Sequence, residues 1–254
     1  MRSSATRAFE LGAPALHAAS LRWRHLAVLN VRRLQQTAFG LLVAGLVLPC
    51  GSVRAQSGEQ IAKAGNAAGA PACVTCHGPT GQGQAVAGYP RLAGLNAGYI
   101  VQQLRSFNDG TRANPIMAPV AKLLSAADAQ ALATYYAAVP AVDATGNAPA
   151  QASLVAAGEA LAKNGNWNSG VPACAQCHGA AGLGVGAAFP QIAGQSAVYI
   201  SNQLLAWQAG TRKNDPMGLM HGIALKLTAS NVSAVAAYYA GLSAAADNNR
   251  SAKP

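Results

Sequence analysis

From Gly58 to Ala240 this 254-residue chain says nearly the same thing twice. "GAPACVTCHGPTGQG" (69–83) returns as "GVPACAQCHGAAGLG" (170–184), with Cys73 and Cys174 offset by 101 residues. "YPRLAGLNAGYIVQQLRSFNDGTR" from Tyr89 returns as "FPQIAGQSAVYISNQLLAWQAGTR" from Phe189, at an offset of 100. "MAPVAKLLSAADAQALATYYA" from Met117 returns as "MHGIALKLTASNVSAVAAYYA" from Met220, at an offset of 103. Upstream, "GEQIAKAGN" at Gly58 resembles "GEALAKNGN" at Gly158. A repeat of this length means two homologous domains of about 100 residues, an ordinary size for a small domain. The Pro-, Ala- and Gly-rich stretch "VPAVDATGNAPAQA" (Val139 to Ala152) reads as their connection. The expected division is a leader at 1–55, a first domain at 56–140, a linker at 141–152 and a second domain at 153–254.

Each half reads as three main helices, and no stretch has a convincing period of two, so the expected class is all-α. The first helix begins near Gly58 or Ser153. The second covers Asn96 to Asp109 or Ser196 to Ala209 and stops at Gly110 or Gly210. Tyr99, Gln103, Leu104 and Phe107, like Tyr199, Gln203, Leu204 and Trp207, recur along it at helical spacing. The third starts at Ser125 or Thr228, both good N-caps. The hydrophobic content is 51%, but much of it is alanine and only 6% of residues are aromatic. Domains this small and this lightly filled need something large and apolar to complete their cores.

The leader carries seven of the 18 Lys and Arg residues and one acid, Glu10. Its basic region ends at Arg33, the apolar run "TAFGLLVAGLVLP" follows, and Val53 and Ala55 supply small residues for cleavage. That order is a secretory signal, expected to be cut after Ala55 and to send the chain to the periplasm with no integral membrane segment left. The rest keeps a net charge of +4, and its basic residues form no run and interleave with no aromatics, so no nucleic-acid partner is expected.

Cys73, Cys76 and His77 form one Cys-x-x-Cys-His motif, and Cys174, Cys177 and His178 form the other. Two thiols on one helical turn can attach to the two vinyl groups of a porphyrin, while the adjacent imidazole reaches the iron. A zinc site would want further thiols or imidazoles in each half, and His221 is the only other histidine after the leader. A redox dithiol of the thioredoxin kind would want βαβ patterning, which is absent. Two covalent haems, one per half, are the expected cofactors, and they would fill the light cores.

The second axial ligand belongs on the far side of the ring. Met117 is the only methionine of the first half and no second histidine accompanies it. The second half offers Met217, Met220 and His221. Met117 lies eight residues before Ser125 and Met220 eight before Thr228, which selects Met220. Counting forward from Arg212 selects Met217 instead, because the second loop is three residues longer. Met217 is therefore the next choice, and His221 reads as a polar loop residue. A ligating histidine also donates its other N–H to a fixed acceptor. Pro90 follows His77 by 13 residues and Pro190 follows His178 by 12; each carbonyl can take that bond, or each proline can simply shape a turn.

Tandem CxxCH domains with "YPRLAG"/"FPQIAG", "YIVQQL"/"YISNQL", "GTR" and a late methionine resemble the di-haem cytochromes of the cytochrome c4 family. The resemblance covers nearly everything after the leader. It implies two class I cytochrome c folds related by a pseudo-twofold axis, each with His/Met ligation and with the proline carbonyl receiving the imidazole N–H. It also implies periplasmic electron transfer, from a quinol-oxidising complex or dehydrogenase as donor towards a terminal oxidase as acceptor. A first rival is the cytochrome subunit of a periplasmic dehydrogenase complex, with the same site residues and a different partner. A second is a di-haem peroxidase, which would need one iron position to open, whereas a methionine is at hand in both halves.

Overall fold

A computed structural model describes residues 56–215 and 217–245. The expected leader, with Cys50 and the cleavage site, lies outside the described residues, as do the last residues of the second domain. The first half contains α1 (Gly58–Ala64), α2 (Val74–His77), α3 (Ala97–Asn108), α4 (Met117–Lys122) and α5 (Ala126–Ala138). The second repeats them as α6 (Ala152–Asn164), α7 (Ala175–His178), α8 (Ala197–Gln208), α9 (Leu219–Ala224) and α10 (Ala229–Ala240). One 3₁₀ turn, Trp167–Ser169, has no counterpart in the first half. Extended pairing among the described residues is confined to isolated bridges. The fold is all-α, as the sequence implies. The two short helices added to each half, one at CxxCH and one at the late methionine, are too brief to leave a periodic signal.

The long helices start where their side chains satisfy the free N–H groups of the first turn. Ser125 caps α5 and Thr228 caps α10, each through a reciprocal capping box with Asp128 or Asn231. Asn96 and Ser196 accept from the N–H of Tyr99 and Tyr199 to open α3 and α8. In the first half α1 and α3 pack on α5, and in the second α6 and α8 pack on α10. Ile61, Leu95, Ile100, Leu132 and Tyr136 form the first core; Leu161, Leu204, Trp207, Val235 and Tyr239 belong to the second.

The crossing of the first and last helix in each half is closer than any side chain allows. A Cβ on Gly58 would lie 2.0 Å from the Ala131 carbonyl oxygen, and one on Gly158 would lie 2.0 Å from that of Ala234. Backbone cannot retreat as a flexible side chain can. Gly158→Ala should therefore push α6 off α10 and cost about 3 kcal/mol in denaturant unfolding. Gly222→Ala, at a helical glycine with nothing within 4 Å, should be neutral or stabilising. A small loss for Gly158→Ala would show that this crossing is loose.

The two halves hold each other by reciprocal bonds. Ala113 N–H donates to the Thr211 carbonyl at 2.9 Å, and Lys213 N–H donates to the Thr111 carbonyl at 2.6 Å. Exchange of bonds between equivalent positions is what a local twofold produces. The connection is strapped down rather than loose. Ala144 N–H donates to Gly194 O at 2.8 Å, Ala85 N–H donates to Thr145 O at 2.9 Å, and Asn147 accepts from Ala197 N–H at 3.2 Å.

Candidate functional site

Cys73 and Cys174 stand as the residues before α2 and α7, and each helix is one turn that ends on its histidine. His77 N–H donates to Cys73 O at 2.9 Å and His178 N–H to Cys174 O at 3.0 Å, which closes the turn and brings both thiols and the imidazole together. Gly78 and Gly179 follow at φ 82°, where a side chain would be strained, and stop the helix.

Each imidazole is pinned by the proline carbonyl. His77 Nδ1 lies 2.9 Å from Pro90 O and His178 Nδ1 lies 2.8 Å from Pro190 O. A carbonyl only accepts, so Nδ1 carries the hydrogen and Nε2 presents a lone pair. The proline loop reaches this position because Gly83 and Gly184 lie beneath it. A Cβ on Gly83 would meet the Arg91 nitrogen at 2.6 Å, and one on Gly184 would meet the Gln191 nitrogen at 2.6 Å. His77 is 7% exposed and His178 is 8% exposed. Burial pushes both imidazoles down, with the proline carbonyl opposing it, so each ring is held neutral near pH 7.

The first half encloses a cavity of about 360 Å³, walled by Cys73, Cys76 and His77 on one side and by Met117 with Val120 and Leu124 on another. Leu95, Ile100, Leu104 and Leu132 make its apolar lining, and Tyr199, Gln203 and Arg212 close it from the second half. In the second half Met220 is half-buried and packs, like Cys174, against the core, while Met217 is 81% exposed. His221 Nδ1 lies 2.9 Å from Trp207 O, which ties its ring to the end of α8.

The two methionine helices open differently. Asn114 Oδ1 accepts from the N–H groups of Ile116 at 2.9 Å and Met117 at 2.8 Å. In the second half Asp215 does this work, with Oδ2 accepting from Met220 N–H at 2.5 Å and His221 N–H at 3.1 Å. Asn214, the sequence equivalent of Asn114, donates instead to Gln103 Oε1 at 2.8 Å.

A polar cluster the repeat did not reveal lies between the halves. Arg112 donates to Gln103 at 3.0 Å, Tyr199 at 2.7 Å and Gln203 at 2.6 Å. Arg212 donates to Gln203 at 3.0 Å and Gln103 at 3.1 Å. The guanidinium carbons lie over the Phe107 and Trp207 rings at 4.5 and 3.8 Å. Both arginines are buried, and among the described residues no carboxylate forms an ion pair with either. Burial and the nearby Arg112 charge push the Arg212 guanidinium down. The signal was present in "GTR" at equivalent positions of both halves, but only the fold shows the two meeting.

A haem fits these residues. The four cysteines among the described residues are free thiols, in two pairs that each share a turn. Burial pushes the Cys73 and Cys174 thiols up, away from the thiolate needed for a metal ligand or a redox dithiol. Among the described residues no three His, Cys, Asp or Glu side chains cluster as a metal cage. An apolar cavity with two thiols and a neutral imidazole on one wall, a thioether on another and uncompensated guanidiniums at one end suits a flat apolar ring that carries carboxylates.

A cytochrome c family model matches residues 57–139 and again 155–243. A thiosulfate dehydrogenase electron acceptor of Stutzerimonas stutzeri (strain A1501) is 47% identical over 203 residues, spanning 79% of this chain and 92% of its own length. A cytochrome c4 of Thiocapsa roseopersicina is 40% identical over 184 residues, spanning 71% of this chain and 92% of its own. Among solved structures, the thiosulfate dehydrogenase (TsdBA) of Marichromatium purpuratum superposes with a TM-score of 0.67 at 38% identity. That match covers 78% of this chain and 43% of the solved one, so the chain spans less than half of that protein.

Proposed function

The chain belongs to the cytochrome c family, as a tandem di-haem member of the cytochrome c4 kind, and from that premise we propose that it takes single electrons from a thiosulfate-oxidising dehydrogenase and passes them towards a terminal oxidase. It is an electron carrier with two covalently bound haems c. The choice of donor is supported by the 47% identity to a thiosulfate dehydrogenase electron acceptor over 92% of that protein. A quinol-oxidising complex is the alternative donor, the other of the two kinds that the resemblance to cytochrome c4 implies.

In this reading Cys73 and Cys76 hold the first haem and Cys174 and Cys177 the second. His77 with Met117, and His178 with Met220, would supply the ligands to the two irons. Such a haem supplies one-electron exchange between ferric and ferrous iron, at a potential raised by the thioether. Pro90 and Pro190 fix ring orientation and tautomer, and the apolar lining excludes water. With Met117 and Met220 as ligands, neither iron would be left open to a substrate, which disfavours a peroxidase. Among the described residues no helix is long and apolar enough to cross a membrane. Export through the 1–55 leader, with domains at 56–140 and 153–254, places the carrier in the periplasm beside its partners.

The donor is tested by mixing the oxidised protein with a purified thiosulfate dehydrogenase and following the haem absorbance. Thiosulfate should bring full reduction within seconds, and omitting either the enzyme or thiosulfate should leave the protein oxidised. Prompt reduction by a quinol-oxidising complex, with none by the dehydrogenase, would replace the proposed donor with the alternative.

A further inference from the structure

The repeat is broken at the turn that follows the first helix of each half. The stretch from Gly158 to Cys174 is one residue longer than that from Gly58 to Cys73. In the first half Asn66 closes this turn: its Nδ2 donates to Leu123 O at 2.8 Å and to Asp128 Oδ2 at 3.1 Å. Its Oδ1 accepts from the N–H groups of Ala68 and Ala70 at 3.1 and 2.9 Å, so both polar atoms of the side chain are engaged. In the second half the Asn166 side chain accepts from Ser169 N–H at 3.4 Å, and the 3₁₀ turn Trp167–Ser169 stands where the first half has its bridge.

A groove of about 500 Å³ opens there. It is lined by Ala157, Ala160 and Asn164, which form one ridge of α6, by Trp167 and Asn168 of the turn, and by Asn231 of α10. The Trp167 indole is 64% exposed. The turn that carries it is held firmly: Asn166 and Val171 exchange backbone bonds at 2.8 and 2.9 Å, and Gly170 N–H donates to Trp167 O at 3.0 Å. Lys226 Nζ donates to Gly170 O at 3.0 Å and ties the turn to the residues before α10. Among the described residues the amide nitrogens of Asn164, Asn166, Asn168 and Asn231 donate to no protein group, and no charged side chain lines the groove.

These features select a class of ligand. An ion would find no opposite charge in the lining. An indole face pairs with a flat apolar surface, and free amides offer N–H donors beside carbonyl acceptors. A pyranose ring meets both, with C–H groups on its faces and hydroxyls around its edge. We propose that the groove binds a neutral oligosaccharide, with one ring stacked on Trp167 and its hydroxyls bonded to Asn164, Asn168 and Asn231. The volume lies in the range of small-molecule sites, and the fixed turn lowers the cost of ordering the indole on binding. The groove shares no residue with the cavity of the first half or with the proposed ligands of the second. Occupancy would hold the carrier on a glycan without entering either redox site.

The experiment is NMR of the intact, fully reduced di-haem protein with isotope-labelled tryptophan and asparagine side chains. After the leader the chain has two tryptophans, and Trp207, at 9% exposed, serves as the internal reference for Trp167. Triacetylchitotriose, a neutral amino-sugar trimer, should shift the Trp167 indole signal to saturation at millimolar concentrations and leave Trp207 unmoved. Trp167→Ala should weaken binding by about tenfold or more, read from the asparagine amide signals, and Trp167→Phe should restore most of it. Replacing Asn164 and Asn168 together with alanine should weaken it several-fold. All three side chains are exposed, so haem absorbance and helix content should stay as they are. A Trp167 signal unmoved by the trimer at tens of millimolar would overturn the proposal, as would binding that survives undiminished in Trp167→Ala. A Trp167 signal that answers to the purified dehydrogenase and not to the sugar would also overturn it, and would make the groove a protein-docking face.

Discussion

Replacing Cys174 and Cys177 together with alanine should halve the haem content and unfold the second half of the chain. The buried side chains of that half include Ala162, Ala173, Ala193, Ala224, Ala234, Ala236 and Ala237, which bring little apolar area each. Cys174 itself packs against the core. Without the ring, the apolar wall that Cys174 and Met220 share with the core would lose its filling, and a domain of about 100 residues has little stability to spare. The loss should exceed that of any single core truncation, roughly 2–5 kcal/mol. A pyridine haemochrome assay should read one haem per chain, and circular dichroism should show the helices of one half lost. The first half should keep its haem, because Cys73, Cys76 and His77 close their turn without help from the partner half. Native helix content in the variant without its second haem would show that the protein core suffices alone.

What the sequence disclosed, and what it hid, follows from how far apart the responsible residues lie. The CxxCH turns and the caps at Ser125 and Thr228 are local: the residues that make each bond sit within a few positions, so the pattern is on the surface of the sequence. The proline carbonyls are 13 and 12 residues from their histidines and came within reach because the repeat set them at matching distances. The contact of Arg91 N–H with Gln195 Oε1 joins residues 104 apart, and its repeat position holds Leu95, so no periodicity announces it. The guanidinium cluster is equally remote: Arg112 reaches Tyr199 and Gln203 only because the halves meet face to face.

Asp215 is a subtler case. It falls in the loop where the second half is three residues longer, and Asn214 aligns with Asn114. Sequence alignment hands the capping role to Asn214, but that side chain is drawn into the cluster between the halves, donating to Gln103 and accepting from Arg212 Nε at 3.0 Å. The cap then falls to the next residue, which carries a charge. An insertion has changed the chemistry beside the proposed ligand Met220 while a methionine stays at that position.

The same insertion makes Met220→Ala the sharpest test of the second site. Met220 is half-buried against the core, held by Asp215 at its N–H, while Met217 projects into solvent. A thioether that ligates a buried iron must come from the wall of the site, and Met217 could do so only if the loop refolded. Met220→Ala should abolish methionine ligation in one haem and leave the other alone, so the far-red charge-transfer band of the ferric protein should fall by about half. The potential of that haem should drop, because water or a nitrogen ligand favours ferrous iron less than a thioether does. Met217→Ala should leave band and potential unchanged, and His221→Ala should disturb only the tie to Trp207 O. If Met217→Ala instead removes half the band while Met220→Ala is silent, the count forward from Arg212 was right. In that case the loop closes over the haem in a way the apolar packing of Met220 does not foretell.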